Sequence, residues 1–309
     1  MKIFVAGHEG MVGSALVRAI EQDGTHSWIG KPRKELNLAD QSETLRFVVE
    51  EKPDAVVLAA AKVGGILANI DDPTGFLFEN LKIQMSVIEA ARTAGVKQFI
   101  FLGSSCIYPP SAQQPIAESE LLSGKLEPSN QSYALAKISG VQMVTNLRQQ
   151  FNLDWFSLMP TNLYGPNDNH NLVTSHVIPA LVDKAIIAKD SKSGVLDVWG
   201  TGRPLREFLH VDDLASAILL LLNRKDVPYP ILNIGSGEEV SISDLASKIA
   251  LHVGFNGRIV FDNTKPDGVL RKLLDSERVR SLGWKPSISL DEGLEKRVLT
   301  RVAELGLEI

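Results

Sequence analysis

The stretch Ile3-Phe4-Val5-Ala6-Gly7-His8-Glu9-Gly10-Met11-Val12-Gly13 decides the fold. Its four leading apolar residues read as a buried strand. Residues 11–22 then place Val12, Ala15, Leu16, Ala19 and Ile20 at helical spacing. Between the two, Gly7, Gly10 and Gly13 fall at G-x-x-G-x-x-G spacing. Early glycines let a backbone turn tightly and approach a pyrophosphate. The helix N-terminus supplies amide donors and positive dipole, and the last glycine permits close packing. Spacing alone is also compatible with a plain tight turn. Placed after a strand and opening an amphipathic helix, it predicts a dinucleotide site formed by Gly7, His8, Glu9, Gly10, Met11, Val12 and Gly13.

Outward from this loop, apolar runs of strand length alternate with helical patterns, the βαβ signature of a parallel sheet. Strands are expected at residues 54–60, 98–102 and 155–159, with a weakly written one at 27–29, and long helices at 73–94 and 132–150. The run at 54–60 does not alternate and so is covered on both faces, and 98–102 reads as another buried strand. Beyond residue 165 the pattern loosens, with helices expected at 175–189, 213–223, 242–253 and 290–303. The fold class is therefore α/β: a Rossmann-type, doubly wound parallel sheet with a smaller C-terminal α/β substrate lobe. Residues 1–165 are expected to form the cofactor half, with returning segments from about 206–240. Residues 166–309 are expected to be mainly the substrate lobe, with the ligand in the cleft between them.

Composition narrows the class further. A length of 309 residues suits about two units of roughly 150 residues each. With 32 Lys+Arg against 37 Asp+Glu the net charge is −5, which offers no basic track for nucleic acid. A single cysteine excludes an internal disulfide and a cysteine-based metal cage within the chain, and no metal is expected. The longest near-apolar stretch, residues 214–222, is about half a membrane span. The N-terminal apolar run meets Gly7 too early for a secretory core. A soluble cytoplasmic protein with no membrane partner is expected.

At the end of the second strand, Ile29-Gly30-Lys31-Pro32-Arg33 contains two bases and no acid. An acid there would bond a ribose 2′-hydroxyl, whereas bases suit a 2′-phosphate, so Lys31 and Arg33 point to NADP(H). The alternative is that both are solvated loop charges. Tyr133 and Lys137 stand at i and i+4 on one helix face, and Ser104 lies just past the strand ending at Leu102. Carbonyl reduction needs a proton donor at the developing alkoxide. Tyr133 suits that task if Lys137 lowers its pKa, with Ser104 bonding the same oxygen.

Longer motifs support a narrower reading. They are Ala59-Ala60-Ala61-Lys62-Val63-Gly64-Gly65-Ile66, Gly103-Ser104-Ser105-Cys106-Ile107-Tyr108-Pro109, Met159-Pro160-Thr161-Asn162-Leu163-Tyr164-Gly165-Pro166, Ser175-His176-Val177-Ile178-Pro179-Ala180-Leu181, Arg206-Glu207-Phe208-Leu209-His210-Val211-Asp212-Asp213 and Lys265-Pro266-Asp267-Gly268. Over nearly its whole length the chain resembles extended short-chain dehydrogenases/reductases, in particular those that epimerise C3 and C5 of GDP-4-keto-6-deoxy-D-mannose and reduce C4 with NADPH to give GDP-L-fucose. The resemblance implies Cys106 as the epimerising base and His176 as the acid. It adds Leu102, Gly103, Ser105, Pro160, Thr161, Asn162, Leu163 and His176 to the cofactor face. For the GDP-sugar it implies Asn162, Lys184, Trp199, Arg206 and Asp267, although Trp199 could instead close the lobe core and Asp267 merely shape a turn. It also implies a homodimer formed through the two long helices. One departure stands out: the family pattern has arginine where Glu9 stands, which leaves NADPH against NADH open. Rival readings are a UDP-sugar 4-epimerase, which has no need of Cys106 and His176, and a non-catalytic NADPH-sensing protein. A 4,6-dehydratase would need a carboxylate beside the catalytic serine, and Ser105-Cys106 offers none.

Overall fold

The computed structural model describes residues 1–171 and 174–307; residues 172, 173, 308 and 309 of the expected C-terminal lobe lie outside it. The first half runs β1 (Lys2–Ala6), α1 (Met11–Asp23), β2 (Ser27–Ile29), α2 (Gln41–Glu51), β3 (Ala55–Leu58), α3 (Ile66–Asp71), α4 (Pro73–Thr93), β4 (Gln98–Leu102), α5 (Gln131–Phe151) and β5 (Asp154–Pro160). Then follow β6 (Asn162–Tyr164), α6 (Val177–Asp190), β7 (Val195–Trp199), β8 (Leu205–His210), α7 (Val211–Leu222), β9 (Ile231–Ile234) and β10 (Glu239–Ser241). The chain ends with α8 (Ile242–Val253), β11 (Arg258–Asp262), β12 (Arg271–Lys272), α9 (Glu277–Ser281) and α10 (Leu290–Glu304).

Six strands pair in parallel in the order β2-β1-β3-β4-β5-β9. Runs such as Ala55-Val56-Val57-Leu58 are buried along their whole length because helices cover both sides of the sheet. On one side Val87, Val141 and Val144 of α4 and α5 pack on Phe99, Phe101 and Trp155. On the other, Leu16 and Ile20 of α1 and Leu214, Ile218 and Leu221 of α7 pack on Ile3, Val5 and Ile100. This is double winding. Strand order reverses between β1 and β3, so the crevice for a ligand opens beyond their carboxyl ends.

A second layer forms around β8, which pairs with β10 antiparallel and with β6 and β12 in parallel. A two-stranded β7–β11 pair and helices α6, α8 and α10 enclose a separate core that includes Tyr164, Leu196, Ile249 and Val298. Within residues 206–240, α7 and β9 join the six-stranded half, whereas β8 and β10 join the lobe.

Two of the boundaries that differ from the sequence reading have a clear local reason. The third strand stops at Leu58 rather than residue 60, because the N–H groups of Ala59 and Ala60 both turn to the Ala6 carbonyl, at 2.9 and 2.8 Å. Helix α6 starts at Val177 rather than residue 175, because His176 is extended (φ −76°, ψ 171°) and serves as its N-cap. Helix α2, which has no counterpart in the sequence reading, opens with Asp40 accepting from the Glu43 N–H at 2.9 Å. Among the described residues no helix is long and apolar enough to cross a membrane.

Candidate active site

A cavity of about 1140 Å³ lies against the carboxyl ends of the sheet and reaches the lobe, and it brings together almost every residue singled out from the sequence. The first half contributes Gly7, His8, Glu9, Gly10, Met11, Val12, Lys31 and Arg33, the segment from Leu102 to Cys106, and Tyr133 with Lys137. From Pro160 onward come Thr161, Asn162, Leu163, His176, Lys184, Trp199, Arg206 and Asp267. Gly13 is the exception: it does not line the cavity. A Cβ on Gly13 would overlap the Gly7 carbonyl oxygen, so its smallness lets α1 dock on the loop that faces the ligand.

The loop fits a dinucleotide pyrophosphate. Gly7 has φ +97°, and a Cβ there would sit 2.7 Å from the Ala60 nitrogen. Helix α1 begins at Gly10 without a side-chain cap and without an acid in its first turn, so its leading amides remain available to an anion. At the expected ribose end, Lys31 already pairs with Glu35 at 3.2 Å, and the exposed Arg33 lies 3.9 Å from Glu79. Glu9 is exposed at the same cavity. The two bases thus share their surroundings with three acids.

The strand end at Leu102 positions Ser104. Ser104 is extended and caps a short 3-10 turn, its Oγ accepting from the Cys106 N–H at 3.2 Å. The Tyr133 side chain lies near that of Ser104. One turn along α5, the Lys137 ammonium donates to the Leu102 carbonyl at 2.7 Å and lies 5.8 Å from the Tyr133 ring centre. Burial pushes Lys137 down to about 7. Burial likewise pushes the Tyr133 phenol up, with Cys106 adding to the rise and Ser104 opposing it. Burial is the largest influence on the phenol.

Cys106 points into the same cavity, and Lys272 of β12 donates to its Sγ at 3.4 Å. Burial by itself would raise the thiol. The Lys272 charge and hydrogen bond, the Ser104 hydroxyl and the Arg206 charge overcome that and hold it below the ordinary value. Sequence reading missed Lys272, since it lies 166 residues from Cys106 and nothing local to it signals a partner. His176 faces the cavity from the start of α6, and its Nδ1 lies 3.7 Å from Asp168 Oδ1.

On the lobe side, the Arg206 guanidinium donates to the main-chain carbonyls of Leu205 and Asp267, at 2.8 and 3.3 Å, and forms no carboxylate pair among the described residues. It is a cation free for an anionic ligand. Trp199 is 39% exposed with the Lys184 and Lys265 ammonium groups 4.8 and 5.3 Å from its ring centre, which excludes closure of the lobe core as its role. Both Asp267 oxygens are taken by Thr201, at 2.6 Å from its N–H and 2.8 Å from its hydroxyl. Asp267 therefore braces the turn after Trp199. Asn162 donates to the Glu207 carbonyl at 2.8 Å.

A parallel sheet with a glycine loop, a Ser–Tyr–Lys group and an added thiol and imidazole defines a class of nucleotide-sugar enzyme. The chain belongs to the NAD dependent epimerase/dehydratase family, whose model matches residues 3–235. Within that family it is 52% identical over 295 residues to "Putative GDP-L-fucose synthase 2" of Arabidopsis thaliana, covering 96% of this chain and 90% of the relative. To GDP-L-fucose synthase of Escherichia coli (strain K12) it is 48% identical over 301 residues, covering 95% and 94%. The solved structure of a GDP-L-fucose synthetase from Naegleria fowleri bound to NADP superposes with a TM-score of 0.87, at 25% identity over 98% of this chain and 95% of that one.

Proposed function

We propose that this chain is an NADP-dependent epimerase and oxidoreductase that converts GDP-4-keto-6-deoxy-D-mannose to GDP-L-fucose, by 3,5-epimerisation followed by 4-reduction. The observation that carries this reading is a thiol activated by Lys272 in the same cavity as Ser104, Tyr133 and Lys137. A proton-moving base beside a carbonyl-reducing group is what epimerisation next to a ketone, then reduction of that ketone, requires. A UDP-sugar 4-epimerase has no use for such a thiol. The near-full-length likeness to GDP-L-fucose synthases of plants and bacteria supports the same substrate.

Cys106, as thiolate, removes the proton from the carbon next to the C4 ketone, and His176 delivers one to the opposite face. Repetition at the other carbon completes the epimerisation. Asn162, Lys184, Trp199 and Arg206 hold the GDP-sugar, with Arg206 facing the diphosphate and Asp267 keeping the Trp199 turn in place. NADPH, held by the glycine loop, Lys31 and Arg33, supplies the hydride. Tyr133 then gives its proton to the C4 oxygen while Ser104 bonds the same atom, and Lys137 beneath it replenishes the phenol.

The outer faces of α4 and α5 expose Phe78, Met85 and Leu135, with Phe78 and Met85 two turns apart. These residues support self-association into a homodimer, and sedimentation of a Met85→Lys variant as a monomer is expected. A catalytic free thiol suits the reducing cytoplasm.

The test uses NADPH and GDP-4-keto-6-deoxy-D-mannose in D₂O, following nicotinamide absorbance and reading product stereochemistry by NMR. Tyr133→Phe should lose on the order of 10²- to 10⁴-fold in reduction and still exchange the C3 and C5 protons. Cys106→Ser should lose exchange and release C4-reduced sugars with incomplete epimerisation. No NADPH oxidation by the wild-type chain with this substrate would overturn the assignment.

A further inference from the structure

The loop between β6 and α6 brings a carboxylate behind His176 that the reaction outlined above does not use. The Asp168 side chain is only 4% exposed, yet its Oδ2 has no hydrogen-bond partner among the described residues. Its Oδ1 accepts from the Asn169 N–H at 2.8 Å and lies 3.7 Å from His176 Nδ1. That Nδ1 is itself buried and unpartnered among the described residues, although the His176 side chain is 42% exposed and lines the cavity. The exposure therefore lies on the other edge of the ring, where Nε2 sits. Asp168 does not line the cavity. An unpartnered His176 Nδ1 on the cavity wall thus faces a buried carboxylate oxygen behind it.

Leaving Nδ1 unsatisfied is costly, and closing the gap to Oδ1 by less than an ångström gives a charge-assisted hydrogen bond that satisfies it. We infer that Asp168 is a positioning residue: it accepts a hydrogen bond from His176 Nδ1–H and so directs Nε2 to the sugar as the proton-delivering nitrogen. The inference rests on the epimerase reading of the site. In the protonated ring Nε2–H passes its proton to the carbanion carbon, and the neutral ring that remains keeps its proton on Nδ1, against the carboxylate. The ring then regains a proton at Nε2 from solvent before the second carbon is epimerised. Asp168 changes no bond and keeps its charge throughout. It fixes the tautomer and the orientation of the ring.

The loop is built to hold this geometry. Next to Asp168, His170 Nδ1 lies 3.0 Å from Asp183 Oδ2 on α6, and its Nε2 meets Arg297 of α10. Asp183 is in turn fixed by Arg301, at 2.7 Å. Helices α6 and α10 therefore clamp the residue two places beyond Asp168, while His176 is fixed as the N-cap of α6.

The experiment measures, for Asp168→Asn, His176→Gln and the double variant, deuterium incorporation at C3 and C5 and the KM for GDP-4-keto-6-deoxy-D-mannose. Asp168→Asn is expected to slow exchange roughly 10- to 100-fold with KM unchanged, a part of what a general acid supplies. In the His176→Gln background it should have no further effect, because Asp168 acts only through that ring. Full exchange in Asp168→Asn, or an equal extra loss in the double variant, overturns the inference. A second readout needs no Asp168 variant. In ¹⁵N-histidine spectra of the wild-type chain, with the His176 signal identified by its loss in His176→Gln, neutral His176 should carry its proton on Nδ1. The Nε2–H tautomer would overturn the inference. A wild-type chain that neither exchanges nor reduces this substrate overturns the epimerase reading instead, while the tautomer still reports on the Asp168 contact.

Discussion

At the scale of single residues, the chemistry depends on two lysines treated oppositely by their surroundings. Lys272 stands beside Cys106, where it holds the thiol below the ordinary value against the opposing effect of burial. Replacing Lys272 by Met should raise the thiol pKa, slow alkylation of Cys106 at neutral pH and move the onset of C3/C5 exchange to higher pH. The pH dependence of iodoacetamide labelling checks this. Lys137 is buried with no carboxylate partner among the described residues, and its pKa is pushed from 10.5 down to about 7. Because the folded pKa is depressed, the folded chain binds fewer protons than the unfolded chain between pH 7 and 10.5. The penalty of burying the ammonium is therefore full below pH 7 and shrinks as pH rises toward 10.5. Without added cofactor, Lys137→Met should melt at a higher temperature than the parent at pH 6, with the gap narrowing by pH 9. Scanning calorimetry at the two pH values measures it. A constant gap would mean that Lys137 is not buried as a charge. Glu9 is the third residue to set the cavity's charge. Glu9→Arg should shift selectivity toward NADPH by roughly 1–3 kcal/mol, read from the ratio of kcat/KM with the two nicotinamide cofactors.

Single elements explain why these side chains arrive together. Helix α1 approaches β1 because Gly13 has no Cβ to strike the Gly7 carbonyl oxygen. Gly13→Ala should cost roughly 1–3 kcal/mol of stability through overpacking and should weaken NADPH binding, although Gly13 does not face the ligand. A thermal melt with and without NADPH separates the two losses. Helix α5 presents Tyr133 and Lys137 one turn apart at its start, while the end of β4 turns Ser104 toward them. Helix α6 fixes His176 by taking it as an N-cap, a position visible only once the backbone is seen to be extended there. That the glycine loop, the i, i+4 pair and the strand-end serine were legible from the chain follows from their local character. Each is a short motif whose meaning depends only on the element it borders.

At the scale of the whole molecule, the lobe adds a cationic wall to the cavity that the six-stranded half leaves open. Arg206→Ala should raise KM for the GDP-sugar at least tenfold and leave NADPH affinity near the parent value, since Arg206 sits on β8 in the lobe and the glycine loop on the sheet. Calorimetric titration with each ligand separately checks it, and equal losses for both would show that the lobe does not divide the work this way. The sequence by itself determined the strand–glycine–helix opening, the parallel sheet and the Ser104, Tyr133 and Lys137 group, because periodicity and short spacing encode elements and their borders. Resemblance added Cys106 and His176. Only the tertiary structure decided that Lys272 meets Cys106, that Asp168 stands behind His176 and that Asp267 braces Thr201. The burial that raises the Tyr133 phenol and lowers Lys137 likewise depends on everything that covers each group. Contacts between distant segments and the exclusion of water are properties of the packed chain, and no local pattern of residues records them.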